Sequence, residues 1–409
     1  MNAPRPPLMT LEQALERVLQ QAVSLERHET VPTLAADHRV LAEDVISELH
    51  VPPVDNSAMD GYALRAADAA KPPTTLSVTQ RIAAGSAPTT LAAGSAARIF
   101  TGAPIPEGAD AVVRQEDCDV PGDGQVRVKA APTAGQWVRR AGSDVARGAR
   151  ILSRGERLHA AALGLAASVG RAELLVAARP RVALFSTGDE LVMPGQLAPQ
   201  EMAPGAIYNS NRFFLTALLQ RLGCSVTDMG IVPDQRQATC DVLERAARGH
   251  DLILTSGGVS VGEEDHIKPA VQSLGELNLW QIAIKPGKPF ACGRVGQAHF
   301  IGLPGNPVSS FVTFLLLVRP FVLALQGCRQ LAAPAQWLAA EFEWPRADRR
   351  QEFLRVRRSA AGGLELFPNQ TSNVLTSAVW GDGLVDNPPG KTIQRGDLVR
   401  FLAFSDLTT

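Results

Sequence analysis

What the sequence has little of narrows the field first. Five cysteines stand in 409 residues, at Cys118, Cys224, Cys240, Cys292 and Cys328, and no two are spaced C-x-x-C. That argues against a disulfide framework or a zinc site and for a reducing compartment. Net charge is nearly missing too: 40 Lys and Arg against 41 Asp and Glu leave −1. No overall field draws the chain to nucleic acid or to an anionic membrane. Long apolar runs are also lacking. The strongest, Phe311 to Val318, is too short to span a bilayer, is followed by Arg319 and Pro320, and reads as a buried helix. Met1 to Thr10 is proline-rich and has no apolar signal core. The expectation is a cytoplasmic protein that binds neither nucleic acid nor membrane.

What is present is a globular balance, 45% hydrophobic and 20% charged, over a length that implies several domains. Thr10 and Gln13 fit a capping box ahead of Leu11, Leu15, Val18, Leu19 and Ala22 at helical spacing. From Val45 to Arg150 short β-like runs alternate with Gly/Pro turns, and Leu158 to Val169 reads as an alanine-rich helix closed by Gly170. From Pro180 apolar strands alternate with helices, one capped by Asn211 and one by Asp234, which predicts a parallel, doubly wound α/β sheet. Ile282 to Ile284 is read as one of its strands. Past Gln330 strands and turns return, ending in the alternating Leu398 to Leu402, a half-buried strand of a small barrel. The fold class is thus α/β with additional β domains. Residues 1–44 and 146–177 form a helix and linker domain, 45–145 an inserted mostly-β domain, 178–329 the α/β domain and 330–409 the barrel.

The special loops of the α/β part follow strands. Ligands of open α/β sheets bind outside the carboxyl ends of the strands. The loops Thr187–Glu190, Ser256–Asp265, Lys285–Pro289 and Pro304–Pro307 are therefore expected to converge. Their glycines, among them Gly257, Gly258 and Gly305, let backbone N–H groups approach an oxyanion, and a following helix N-terminus adds a favourable dipole. Lys285 and Lys288 add positive charge. Each loop alone is read as a turn; together they read as an oxyanion site. The acids Asp189, Glu190, Asp234 and Asp265 beside them suit Mg²⁺ on phosphate oxygens, with helix capping as an equal alternative for Asp234. Asp55 to Ala63 reads by itself as an Asx-rich loop, and Arg139 to Asp144 as a solvated turn or an anion-contacting loop.

Six segments together carry a resemblance. Asn56-Ser57-Ala58-Met59-Asp60-Gly61-Tyr62-Ala63, Thr101 to Val113, Ser186 to Leu191, Ser256 to Gly262, Ile284 to Pro289 and Leu303 to Ser309 resemble, in order, the signatures of the MoeA/gephyrin E-domain family of molybdopterin molybdenumtransferases. The resemblance implies an elongated homodimer with an active site shared between subunits. It also implies the reaction: adenylylated molybdopterin plus molybdate gives molybdenum cofactor and AMP, with Mg²⁺. An adenylyltransferase supplying the substrate and molybdoenzymes accepting the product are further implied partners.

Carried over by position, the family's functional acids fall on Asp60, Asp144, Glu190, Asp234 and Asp265, with Thr101 beside them. Glu190, Asp234 and Asp265 are the implied metal ligands. Gly257, Gly258, Ser260, Lys285, Lys288, Pro304, Gly305, Asn306 and Ser309 match the implied substrate positions. Gln370 to Ser377 resembles a barrel-edge motif that brings Ser372 or Ser377 to the anion, and Arg355 is a looser match. Two departures stand out: Gln235 where the family often has a second acid, and a longer segment from Gly195 to Gly205. Two other classes stay in view. One is a non-catalytic molybdopterin-binding scaffold. The other is a nucleotide hydrolase or adenylyltransferase on the same α/β domain, but such relatives usually lack the β domain that carries Asp60.

Overall fold

The computed structural model describes residues 8–259 and 266–408. The first helix, Leu11–Gln21, starts at the expected capping box: the Thr10 hydroxyl accepts the Gln13 N–H at 3.2 Å, and the Gln13 amide oxygen accepts the Thr10 N–H at 3.1 Å. Its Ala14 and Val18 are fully buried in the same core as the α/β domain. The strand His28–Pro32 pairs antiparallel with Glu173–Ala177, and Val45–Ile46 with Arg150–Leu152. With the helix Ala160–Ser168 they enclose a small core around Leu41, Leu158 and Val176. Between these halves a six-stranded sheet runs in the order Ala111–Arg114, Gly61–Leu64, Ser95–Ile99, Thr74–Ile82, Gln125–Val128, Cys118–Asp119.

The α/β sheet has four parallel strands, in the order Ser225–Val232, Arg181–Thr187, Leu252–Ser256, Ala298–Leu303. Register is what positions the site. Ser186 pairs with Ser256, Ser256 with Leu303, and Thr187 with Val232, so four chains leave the sheet at one level. Two antiparallel strands, Pro289–Val295 and Gly275–Gln281, complete the edge. The segment expected as a further strand of this sheet does something else. Ile284–Lys285 pairs with Gln351–Glu352 of the C-terminal sheet, whose other strands are Gly383–Asn387, Leu398–Ala403, Gln336–Ala339 and Leu364–Leu366. Ile282 and Ile284 are buried either way, and burial does not specify which sheet receives them.

Pro307–Leu325 is long and apolar enough to cross a membrane, but 83% of its apolar window is buried inside the protein, so it is a core helix. It widens to a π turn over Phe314–Val318. Pro320 has no N–H to give to the preceding turn, and its ring would crowd the carbonyl four residues back, which the wider turn relieves.

His299, on the strand Ala298–Leu303, is 5% exposed and packs edge-on to Phe321 with centroids 5.0 Å apart. Burial, and then Arg294, push its pKa from 6.5 down to about 4. The unfolded chain therefore binds a proton that the folded chain refuses in that window. Stability is full above pH 6.5 and is expected to fall with acidification toward pH 4, by about 1.4 kcal/mol per unit. Denaturant midpoints measured down that range check it: His299→Gln should flatten the slope.

Candidate functional site

The strand ends build a cleft of about 680 Å³. Gly257 and Gly258 sit at φ +95° and +65°, and an added Cβ would fall 2.7 Å from the Thr187 carbonyl oxygen or 2.5 Å from Ile267 Cγ1. Only glycine lets this loop lie so close against its neighbours, and the Gly257 N–H fixes it to the next strand by donating to the Leu303 carbonyl at 3.0 Å. Gly305 approaches from the next strand: its built Cβ would stand 3.9 Å from Gly257 Cα. Asn306 then leads into the helix that starts at Pro307, a proline at a position where its missing N–H costs nothing. Ser309, in the first turn, is 5% exposed and lines the cleft.

Two side chains tie the loops together. Asn211 Nδ2 donates to Ser256 Oγ and to the Gly305 carbonyl, both at 2.7 Å. Asn211 was expected to cap its helix, Asn211–Arg221; instead Asn209 Oδ1 accepts the Arg212 N–H at 3.3 Å, which frees Asn211 to brace the site. Asn209, Tyr208 and Asn373 also line the cleft. These are the residues that sequence reading missed, and the Tyr-Asn-Ser-Asn run before the helix was the available signal. The long Gly195–Gly205 segment is anchored to this rim: Tyr208 Oη donates to the Leu197 carbonyl at 2.8 Å.

Two expected acids face the cleft. The Glu190 carboxylate folds over Gly188, whose built Cβ would meet Glu190 Oε2 at 2.5 Å. Asp234 follows the neighbouring strand, and its N–H donates to Asp189 Oδ1 at 3.3 Å. Asp234 is not the helix cap, because the helix Arg236–Ala247 starts one residue later, with Gln235 at its N-cap. Mg²⁺ characteristically takes one or two carboxylates and completes its shell with water and substrate phosphate. Glu190 and Asp234 fit that demand. Among the described residues no three acids, histidines or cysteines gather into a closed cage. Ser260 and Asp265 lie outside the described residues.

Other expected residues stand apart. Lys285 Nζ lies 3.1 Å from Glu352 Oε1 and 3.4 Å from Asp348 Oδ2, so it serves the barrel rather than the cleft. Glu352 is 1% exposed and also accepts from Trp344 Nε1 at 2.7 Å and Asn387 Nδ2 at 3.3 Å. Arg350, and then Lys285, hold the Asp348 carboxyl well below the usual range. Removing Lys285 leaves Glu352 buried without its cation, so Lys285→Ala is expected to lower stability by about 1–3 kcal/mol. The urea midpoint at pH 7 reads it. Lys288 sits next to the cleft-lining Pro289 and makes no ion pair among the described residues.

The two serines and the arginine expected at the anion stand inside the barrel or at its docking edge. Arg355 is 1% exposed and Ser377 fully buried; they hold each other at 3.1 Å through Nε and Oγ. Burial lowers the Arg355 pKa to about 10, which leaves it charged at neutral pH. Neither lines the cleft: Arg355 gives Nε, Nη1 and Nη2 to acceptors inside the barrel, and the Ser377 hydroxyl donates to the Val374 carbonyl at 2.6 Å. Ser372 acts through its backbone: its carbonyl accepts the Val308 N–H at 2.9 Å, docking the barrel edge on the helix start. Asn373 is the barrel's contribution to the lining.

Asp60, Thr101 and Asp144 lie on the inserted β domain and its rim, and none lines the cleft of its own chain. Asp60 is exposed, and its Oδ1 accepts both the N–H and the hydroxyl of Thr101 at 2.8 Å. Those two bonds, then Arg98, hold its carboxyl below the usual range. Asp144 is also exposed.

A parallel sheet with glycine loops, a helix start and two carboxylates at its strand ends defines an α/β enzyme built for an oxyanion substrate. Three family models match in tandem: "MoeA N-terminal region (domain I and II)" over residues 9–170, "Probable molybdopterin binding domain" over 183–324 and "MoeA C-terminal region (domain IV)" over 338–404. A molybdopterin molybdenumtransferase of Haemophilus influenzae is 43% identical over 333 residues, 81% of each chain. That of Synechococcus elongatus is 38% identical over 90% of this chain and 92% of its own. A molybdopterin biosynthesis MoeA structure from Pyrococcus horikoshii OT3 superposes with TM-score 0.83 at 26% identity, over 97% of this chain and 100% of that one. The chain belongs to the molybdopterin molybdenumtransferase family, enzymes of molybdenum cofactor biosynthesis.

Proposed function

We propose that this chain inserts molybdenum from molybdate into adenylylated molybdopterin with release of AMP, at the strand-end cleft. The observation that carries the reading is the meeting, in one cleft, of the glycine loops at 257–258 and 304–306 and a helix start with Glu190 and Asp234. The first set suits phosphate and molybdate oxygens; the second suits a divalent cation. Magnesium, when bound, spreads negative charge on the phosphate oxygens, and Glu190 and Asp234 would hold it.

The two sulfurs that receive the metal belong to the pterin, so the chain needs no covalent nucleophile of its own. Its residues position. Gly258, Gly305 and Ser309 hold the oxyanions, Gly257 gives them room at the cleft wall, and Asn211 keeps the two loops in register. A molybdate oxygen attacks the adenylyl phosphorus in line with the leaving pterin phosphate oxygen, helped by orientation and charge neutralisation. The two pterin thiols then take molybdenum, the attacking oxygen leaves on AMP, and a second molybdate oxygen leaves as water with the two thiol protons.

The active unit in this reading is a homodimer, with Asp60, Thr101 and Asp144 of the partner subunit closing the cleft. What supports it is an exposed Asp60 whose charged form is favoured by two bonds from Thr101 and which does not line the cleft of its own chain. Adenylylated molybdopterin with Mg²⁺ tests the reaction. Molybdate-dependent AMP release is the expected outcome. Release without molybdate would identify a hydrolase, and tight binding without release a scaffold.

A further inference from the structure

A second cavity, of about 700 Å³, opens where the linker segment meets the end of the Pro307–Leu325 helix, away from the strand-end cleft. Arg157, Arg319 and Arg329 line it, with His38 and His159. A single carboxylate faces them, Glu156, and its Oε2 already accepts the Ser153 N–H at 3.1 Å. The lining therefore carries three permanent positive charges against one negative.

Two of these arginines are held in place by carbonyl groups. Arg157 donates from Nε to the His38 carbonyl at 3.2 Å and from Nη2 to the Arg221 carbonyl at 2.9 Å. Arg319 donates from Nη1 to Leu331 at 2.9 Å and from Nη2 to Asp406 at 3.1 Å, again at backbone oxygens. Among the described residues none of the three arginines comes within ion-pair distance of a carboxylate. Asp37 and Asp406 act on Arg157 and Arg319 only from farther away.

Arg319 is 7% exposed, and its Nε is buried with no hydrogen-bond partner. Burial depresses the pKa of both Arg157 and Arg319, and Arg157 depresses Arg319 further. A buried guanidinium, Arg319, beside a half-buried one, Arg157, the two repelling each other and lacking a counter-ion within ion-pair distance, is costly to maintain. A dianion between them would offset desolvation and repulsion together, and the guanidinium fork matches phosphate oxygens. The cavity is roomier than a bare ion needs, and Leu158 and Leu323 give it an apolar floor.

We propose that this cavity is a second oxyanion site, one that takes a small phosphate-bearing molecule and clamps the linker segment to the core helix. The inference does not depend on what the cleft does. Arg319 also borders the groove against the first helix, so Arg157 and Arg329 carry the test.

Hydrogen exchange of the full chain is measured while inorganic phosphate, or phenyl phosphate, is titrated. Saturable protection is expected over residues 153–159 and 327–334. Arg157→Gln should move its half-saturation at least tenfold upward, Arg157→Lys should restore part of it, and Glu190→Ala should leave it unchanged. Arg329→Gln, at an exposed position, gives the same reading should Arg157→Gln fold poorly. Tighter binding of phenyl phosphate assigns the apolar floor to an organic body; tighter inorganic phosphate assigns the free ion. Protection confined to the cleft loops, or unchanged half-saturation in both arginine variants, would overturn the proposal.

Discussion

Glu190→Ala is expected to slow molybdate-dependent AMP release by roughly a hundredfold, the scale of losing one group that manages charge in a transition state, while leaving the fold intact. The side chain is exposed in the cleft and lies over Gly188. What holds the loop is the Glu190 backbone: its carbonyl accepts the Ile207 N–H at 2.8 Å, and alanine keeps that bond. A melting temperature equal to the parent's shows that the loss is chemical. Glu190→Gln separates the contributions, since it keeps shape and loses charge. If the carboxylate binds Mg²⁺, the glutamine variant should approach the alanine variant and respond to raised Mg²⁺. An undiminished rate in the alanine variant would remove Glu190 from the chemistry. The shared-site reading adds a second measurement. Asp60→Ala alone should also be inactive. Unfolding and reassembling it with Glu190→Ala should recover about a quarter of parental activity, because half the dimers are mixed and each mixed dimer has one intact site. Recovery of nothing would place Asp60 and Glu190 in the same chain's chemistry, or Asp60 outside it.

The parts of this architecture that could be read from sequence are those in which a local pattern has one physical solution. Val182 to Phe185 and Leu252 to Leu254 are continuous apolar runs closed by Gly-containing turns, and a strand buried on both faces is what such runs become. The capping box at Thr10 is likewise local. What stayed hidden was set by partners distant in sequence. Ile282 to Ile284 looks the same whether it joins the α/β sheet or the barrel, and the barrel's Gln351–Arg358 strand decided it. Lys285 was assigned to the oxyanion site by the company of glycine and proline, while the acids that hold it, Asp348 and Glu352, lie more than sixty residues on. Asn211 is the first residue of its helix, one position past the N-cap Ser210, and Asn209 on the other side of Ser210 takes the Arg212 N–H instead. The α/β side of the cleft was legible because it is made of four strand ends in register. Its barrel side was not, because Asn373 enters only through the docking of Ser372 on Val308.

Arg355→Ala is expected to cost about 3–5 kcal/mol, summing a cavity and the buried acceptors it would strand. Arg355 is the largest fully buried side chain in the protein's described residues. Its guanidinium gives Nε to Ser377 Oγ at 3.1 Å, Nη1 to the Phe353 carbonyl at 3.0 Å and Nη2 to the Thr371 carbonyl at 3.3 Å. One planar group therefore joins the strand Gln351–Arg358 to the segment that docks on the cleft helix. Arg355→Lys should recover little, since an ammonium on a flexible stem cannot address three fixed acceptors at once. Two roles then make opposite predictions. A residue that touched substrate would, when truncated, leave the urea midpoint in place and raise KM. A residue that clamps the barrel edge should lower the midpoint and release exchange protection first in residues 370–380. It should also weaken activity only through the displaced Ser372–Val308 dock and Asn373. Hydrogen exchange on the alanine variant separates them: unchanged protection across 370–380 together with lost substrate affinity would return Arg355 to the cleft.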